Sequence, residues 1–138
     1  MSADCKRIEL QIDPDARLAA AAGGAARYLA ESAGILSEAA AELQHSVVTA
    51  CREAFEHLAG DHSHLVVTLA LFADRIEIAV AHEGNGEPAV GLDQIAGFAG
   101  QMGGSSALRG VDRVQFETRD GLAVTRLTKY FGHAPHIA

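Results

Sequence analysis

A chain of 138 residues with an apolar fraction of 49% can bury one core without staples, and aromatics at 5% leave Ala, Val, Leu and Ile to build it. A formal net charge of −7 without any Lys/Arg run argues against nucleic-acid binding. No apolar segment approaches the roughly 20 residues that cross a bilayer and none resembles a signal peptide, so no membrane role is expected. Cys5 and Cys51 lack metal or redox spacing, and Cys51 falls on an apolar stripe. They read as thiols of a reducing cytoplasm, the expected location.

In chain order, Arg7-Ile8-Glu9-Leu10-Gln11-Ile12 alternates polar and apolar, as a half-buried strand does. Asp13-Pro14 reads as N-cap and first position of a helix running to about Ser32, rich in alanine and carrying Leu18, Tyr28 and Leu29. Gly23-Gly24 inside it costs on the order of 1 kcal/mol per glycine, so a bend or a close backbone approach is expected there. Around Gly34 the chain turns into a second helix, Ser37 to Gly60, with Ser37 as N-cap and Gly60 as its stop. Ala39, Leu43, Val47, Cys51 and Phe55 recur every four residues, widened by Ala40, Ala50, Ala54 and Leu58 into a core-facing stripe. A polar row, His45, Thr49, Glu53 and His57, runs along the same helix.

Beyond the polar loop Asp61-His62-Ser63-His64, Leu65 to Leu71 and Ile76 to Val80 read as a hairpin turning at Ala73-Asp74-Arg75. From His82 to Gly110 glycines crowd the sequence, with a short helical piece expected around Leu92 to Phe98. A segment of that length and composition inside a small domain points to function or mobility. Val114 to Thr118, a turn at Asp120-Gly121, and Leu122 to Tyr130 form a second hairpin. Strands and helices do not alternate, which implies one α+β domain: helices on one face of a mostly antiparallel sheet, a two-layer sandwich.

Three stretches resemble the GHKL ATPase fold, and within it the anti-sigma factor serine kinases of the RsbW-like group. That family's long helix reads Glu-Ala-Cys-x-Asn-Ala-x-x-His, against Thr49-Ala50-Cys51-Arg52-Glu53-Ala54-Phe55-Glu56-His57 here. Its hairpin ends in Asp-x-Gly-x-Gly, against His82-Glu83-Gly84-Asn85-Gly86. Its last strands carry Asp-x-Val and Thr-Lys-Tyr, matched by Asp112-Arg113-Val114 and Thr128-Lys129-Tyr130. A register shifted so that Glu53 takes the place of the family glutamate loses both alanines and the histidine.

The resemblance implies ATP and Mg²⁺ as cofactors, a homodimer, and a sigma factor or a STAS-type anti-anti-sigma factor as protein partner. It also implies roles that this sequence alters. Thr49 stands where the family keeps its general base, and a hydroxyl does not titrate near neutrality. Glu53 replaces the asparagine that holds Mg²⁺. A carboxylate can bind the metal, yet beside a phosphate it brings about 4 kcal/mol of repulsion at ~4 Å and an effective dielectric of 20. His82 replaces the aspartate that accepts from the adenine amine, and neutral imidazole can still accept one bond. His57, Gly84 and Gly86 would touch phosphate or adenine, and Gly103, Gly104 and Ser105 would stand for the glycine-rich lid ahead of a helix N-terminus.

Each has a plainer reading: helix surface for Thr49 and Glu53, a C-terminal dipole partner for His57, simple turns for the glycines, an N-cap for Ser105. His62 and His64 lack a third ligand for a metal. The expectation is therefore a regulatory protein acting by protein contact on a scaffold with impaired or lost kinase chemistry. The alternative is an active ATP-dependent serine/threonine kinase with an altered pocket, in which Glu53 holds Mg²⁺. A third reading places some other small anionic ligand in the glycine-rich cleft.

Overall fold

The computed structural model of the protein describes residues 6–58, 63–83, 109–119 and 121–131. The first strand, β1 (Lys6–Ile12), leads into α1 (Ala16–Ser32) and α2 (Ser37–Phe55). The hairpin β2 (Leu65–Leu71) and β3 (Arg75–Glu83) follows, and β4 (Arg113–Arg119) and β5 (Leu122–Tyr130) close the described chain. All strand pairs are antiparallel, in the order β1-β2-β3-β5-β4, so β3 is the central strand. Two helices against one face of an antiparallel sheet make the fold α+β, a two-layer sandwich.

The helix ends differ from the sequence expectation, and local hydrogen bonds explain how. Asp15, not Asp13, caps α1: it is extended at φ −140° and its Oδ1 accepts from Arg17 N at 2.8 Å. The Arg17 guanidinium closes on the same carboxylate and holds it below the usual carboxylate range, so Pro14 is left outside the helix. At the other end Gly34 N bonds Glu31 O and Ile35 N bonds Ala30 O, a Schellman stop that needs the left-handed φ of +96° at Gly34.

Ser37 is not the cap of α2 but its first residue, after Leu36, which makes no side-chain cap bond. The Ser37 hydroxyl donates instead to Glu31 at 3.2 Å, and Arg27 reaches from α1 to Gln44 at 3.1 Å, so the two helices are tied side by side. α2 ends at Phe55 rather than Gly60. The next three amides reach back only three residues, Glu56 to Glu53, His57 to Ala54 and Leu58 to Phe55, and the last turn tightens out of α geometry.

The sheet's covered face carries Leu65, Val67 and Leu69 of β2, Ile76, Ile78 and Val80 of β3, and Leu127 of β5, all buried. Ala40, Leu43, Val47, Ala50, Cys51 and Ala54 of α2 close the core from above, as the four-residue period predicts. The opposite face has alternating charge. Arg75 bonds Glu77 at 2.7 Å, and Arg126 lies 3.5 Å from Glu77 and bonds Glu117 at 3.1 Å, a ladder crossing β3, β5 and β4. One face dry and one face wet is the ordinary state of an antiparallel sheet.

Candidate functional site

The expected site residues divide between α2 and β3. On α2, Thr49 and Glu53 are one turn apart and half-buried, on the flank next to the fully buried Ala50 and Ala54. His57 lies in the tightened turn just past the helix and is also half-buried, whereas His45 at the head of the row is exposed. The side chains of Thr49, Glu53 and His57 make no hydrogen bond or ion pair with the described residues.

His82 is different. It continues the inward row Ile76, Ile78 and Val80 of β3, and only 3% of its surface is exposed. Its Nδ1 lies 2.8 Å from the Glu83 carbonyl oxygen, and its Nε2 is buried with no partner among the described residues. α2 packs on β3. No bond among the described residues joins Thr49, Glu53 or His57 to His82. The remaining expected residues, Gly84, Gly86, Gly103, Gly104 and Ser105, together with the helical piece around 92–98 and His62, lie outside the described residues.

Two buried polar side chains escape a sequence reading. Thr125 on β5 is fully buried and its Oγ1 has no partner among the described residues. It sits diagonally from His82, because His82 pairs with Ala123 and Val80 with Thr125 in the β3–β5 register. The available signal was its place between Ala123 and Leu127 on the inward side of a strand, where a polar residue is out of pattern. Ser46 is the second. Its Oγ accepts from Gly110 N at 2.9 Å, fixing the end of the glycine-rich stretch on α2. The approach is so close that a Cβ on Gly110 would run into the Glu42 carbonyl and stand 2.7 Å from Leu43 N.

Chemically, this collection offers hydrogen-bonding groups, and its thiol is not a nucleophile. Cys51, central in α2, is shut in by the core, and burial pushes its thiol up to about 12, far from a nucleophile's range. No group of three or more His, Cys, Asp and Glu side chains among the described residues could hold a metal ion. Among the expected site residues that are described, Glu53 is the carboxylate that could join Mg²⁺ if a polyphosphate supplied further oxygens. Away from this boundary, a groove of about 270 Å³ crosses the open face of the sheet, floored by Thr68, Ala79 and Ala81 and walled by Arg7, Val124 and Arg126. It shares no residue with the expected site. No helix among the described residues is long and apolar enough to cross a membrane.

No protein-family model matches the chain, and no curated protein matches it.

Proposed function

We propose that the chain is a regulatory protein-binding domain built on a GHKL-like scaffold, resembling the anti-sigma factors, in which phosphoryl transfer is impaired. The observation that carries this reading is Thr49. It occupies the α2 position where the resemblance requires a base, it is half-buried, and no titratable side chain among the described residues hydrogen-bonds to it. A lone hydroxyl cannot accept a proton from a substrate serine at neutral pH. What remains is a scaffold able to act by contact with a sigma factor or a STAS-type antagonist, as a homodimer.

The test is a phosphoryl-transfer assay with labelled ATP and Mg²⁺ against STAS-domain proteins from the same source, alongside pull-down of its sigma factors. The expected result is binding without transfer, and a gain of about 10²-fold in ATP turnover in Thr49→Glu, the size of a positioned base. Transfer by the unmodified protein at ordinary kinase rates would refute the reading, as would failure to bind either partner class.

Glu53 supports a second reading. It is a half-buried carboxylate without a partner among the described residues, available to Mg²⁺ in an altered but working kinase. A melting-temperature rise with ATP and Mg²⁺ that vanishes in Glu53→Ala would favour it. Ligand at a hundred times its Kd contributes about 2.7 kcal/mol, which is readily seen.

A further inference from the structure

We propose that the groove on the open face of the sheet binds a straight-chain carboxylate, with Arg7 holding the head and the apolar end covering the chain. The groove exists because the two inner strands carry short side chains where their neighbours carry long ones. Thr68 of β2 pairs with Ala79 of β3, while Arg7 stands on β1 and Arg126 on β5. These flanks enclose a volume of about 270 Å³. Ala70 and Val124 lie on this face, away from the helices, and are nonetheless buried, so the floor is recessed rather than flat.

The two ends of the groove differ in chemistry. Across one end run Arg7, Ala70 and Glu77, neighbours in the register of the sheet, with Phe72 beyond them. Four residues away along β2, about 13 Å at the rise of a strand, the row is Val66, Ala81 and Val124, with Leu122 beside it. The first end is charged and the second is apolar throughout. Glu77 is neutralised within the sheet by Arg75 at 2.7 Å and Arg126 at 3.5 Å. Arg7 makes no ion pair among the described residues, so it adds an uncompensated positive charge at the first end.

The occupant follows from that gradient. A guanidinium fork matches the two oxygens of a carboxylate. An unbranched hydrocarbon is slim enough for a volume just below the drug-sized range, and along the Val66 to Val124 row it displaces water from apolar surface. None of this depends on the reading of Thr49, because the groove lies on the face of the sheet opposite α2.

The test is an NMR titration of the intact ¹⁵N-labelled chain with hexanoate, octanoate and decanoate below their micellar concentrations. Saturable shifts are expected at the Thr68, Ala79 and Ala81 amides. Binding should tighten about twofold per added methylene, half the free energy of full burial because one side of the groove is open. Arg7→Gln should weaken octanoate about three- to fivefold and leave octanol unchanged. Ala79→Leu points its longer side chain into the groove rather than the core and should abolish binding while the melting temperature holds. Ala81→Leu does the same should the first variant fail to fold. Decanoate bound no tighter than hexanoate, shifts confined to other parts of the chain, or octanoate binding unaltered by Arg7→Gln would overturn the site. So would a change of oligomeric state in Ala79→Leu without any carboxylate binding, since a second copy would then cover this face. An active kinase would refute the proposed function and leave these results standing.

Discussion

Two adjacent glycines in α1 should respond in opposite directions to the same substitution. Alanine in a helix interior gains roughly 0.5–1 kcal/mol over glycine. At Gly24 a Cβ meets nothing within 4 Å, so Gly24→Ala should raise stability by about that amount. At Gly23 the new Cβ would stand 2.6 Å from Val48 Cγ2, 2.9 Å from Gln44 O and 3.2 Å from Gln44 Cγ. Val48 is β-branched and stiff, and a helix carbonyl cannot swing aside, so α1 and α2 must part along their shared interface. Overpacking of that kind costs about 1–3 kcal/mol and outweighs the propensity gain. The two variants should therefore differ by about 2 kcal/mol in urea unfolding followed by far-UV circular dichroism, with Gly23→Ala below the parent. Val48→Ala in the Gly23→Ala background should recover part of the loss but not all, because the Gln44 carbonyl remains. If Gly23→Ala stabilised the protein as much as Gly24→Ala, the close helix approach would be wrong.

Ser46→Ala removes the acceptor of the buried Gly110 N–H and should cost about 1–3 kcal/mol, with faster hydrogen exchange at the Gly110 amide as the local signature. Unchanged exchange there would show that the contact does not hold the segment to α2. Cys51 should resist iodoacetamide in the native state at pH 9 and react in urea. Its folded pKa of about 12 stands above the ordinary 9.0, so the stability it contributes is complete below pH 9 and is lost as pH rises toward 12. The slope is at most about 1.4 kcal/mol per pH unit, and Cys51→Ala should flatten it. Equal slopes with and without the thiol would refute its burial.

What the sequence made legible follows from periodicity. Leu43, Val47 and Cys51 announce the buried side of α2, and the alternation through Ile76, Ile78 and Val80 announces the inward face of β3. The element order follows, and with it the two-layer fold. Helix ends were less legible because neighbouring residues compete for one role. Asp13 and Asp15 both suit a cap, and only the bond to Arg17 N decides between them. Ser37 resembles a cap, yet its hydroxyl is taken by Glu31 of the other helix. The buried polar residues were illegible for the same reason. Ser46 acquires its meaning from Gly110, 64 positions away, and Thr125 from the β3–β5 register. His82 was singled out by resemblance, and its burial follows from the same alternation, because it continues the inward row of Ile76, Ile78 and Val80.

The two halves of the candidate site are held by supports of unequal stiffness, and this bears on how the protein could change. β3 is paired on both sides, to β2 as far as Ala81 and to β5 through His82 and Glu83, so the backbone at His82 is held by the β5 ladder. His82 is buried there, and truncating it leaves a cavity. Thr49 and Glu53 lie on the flank of a helix whose stability comes from Leu43, Val47, Ala50 and Cys51, and their own side chains are half in water. Substitution on that flank costs little, commonly within about 0.5 kcal/mol for positions without special contacts. Substitutions at Thr49 and Glu53, such as Thr49→Glu, are therefore expected to leave the fold undisturbed, whereas substitutions at the inward end of β3 act on the packing of the core.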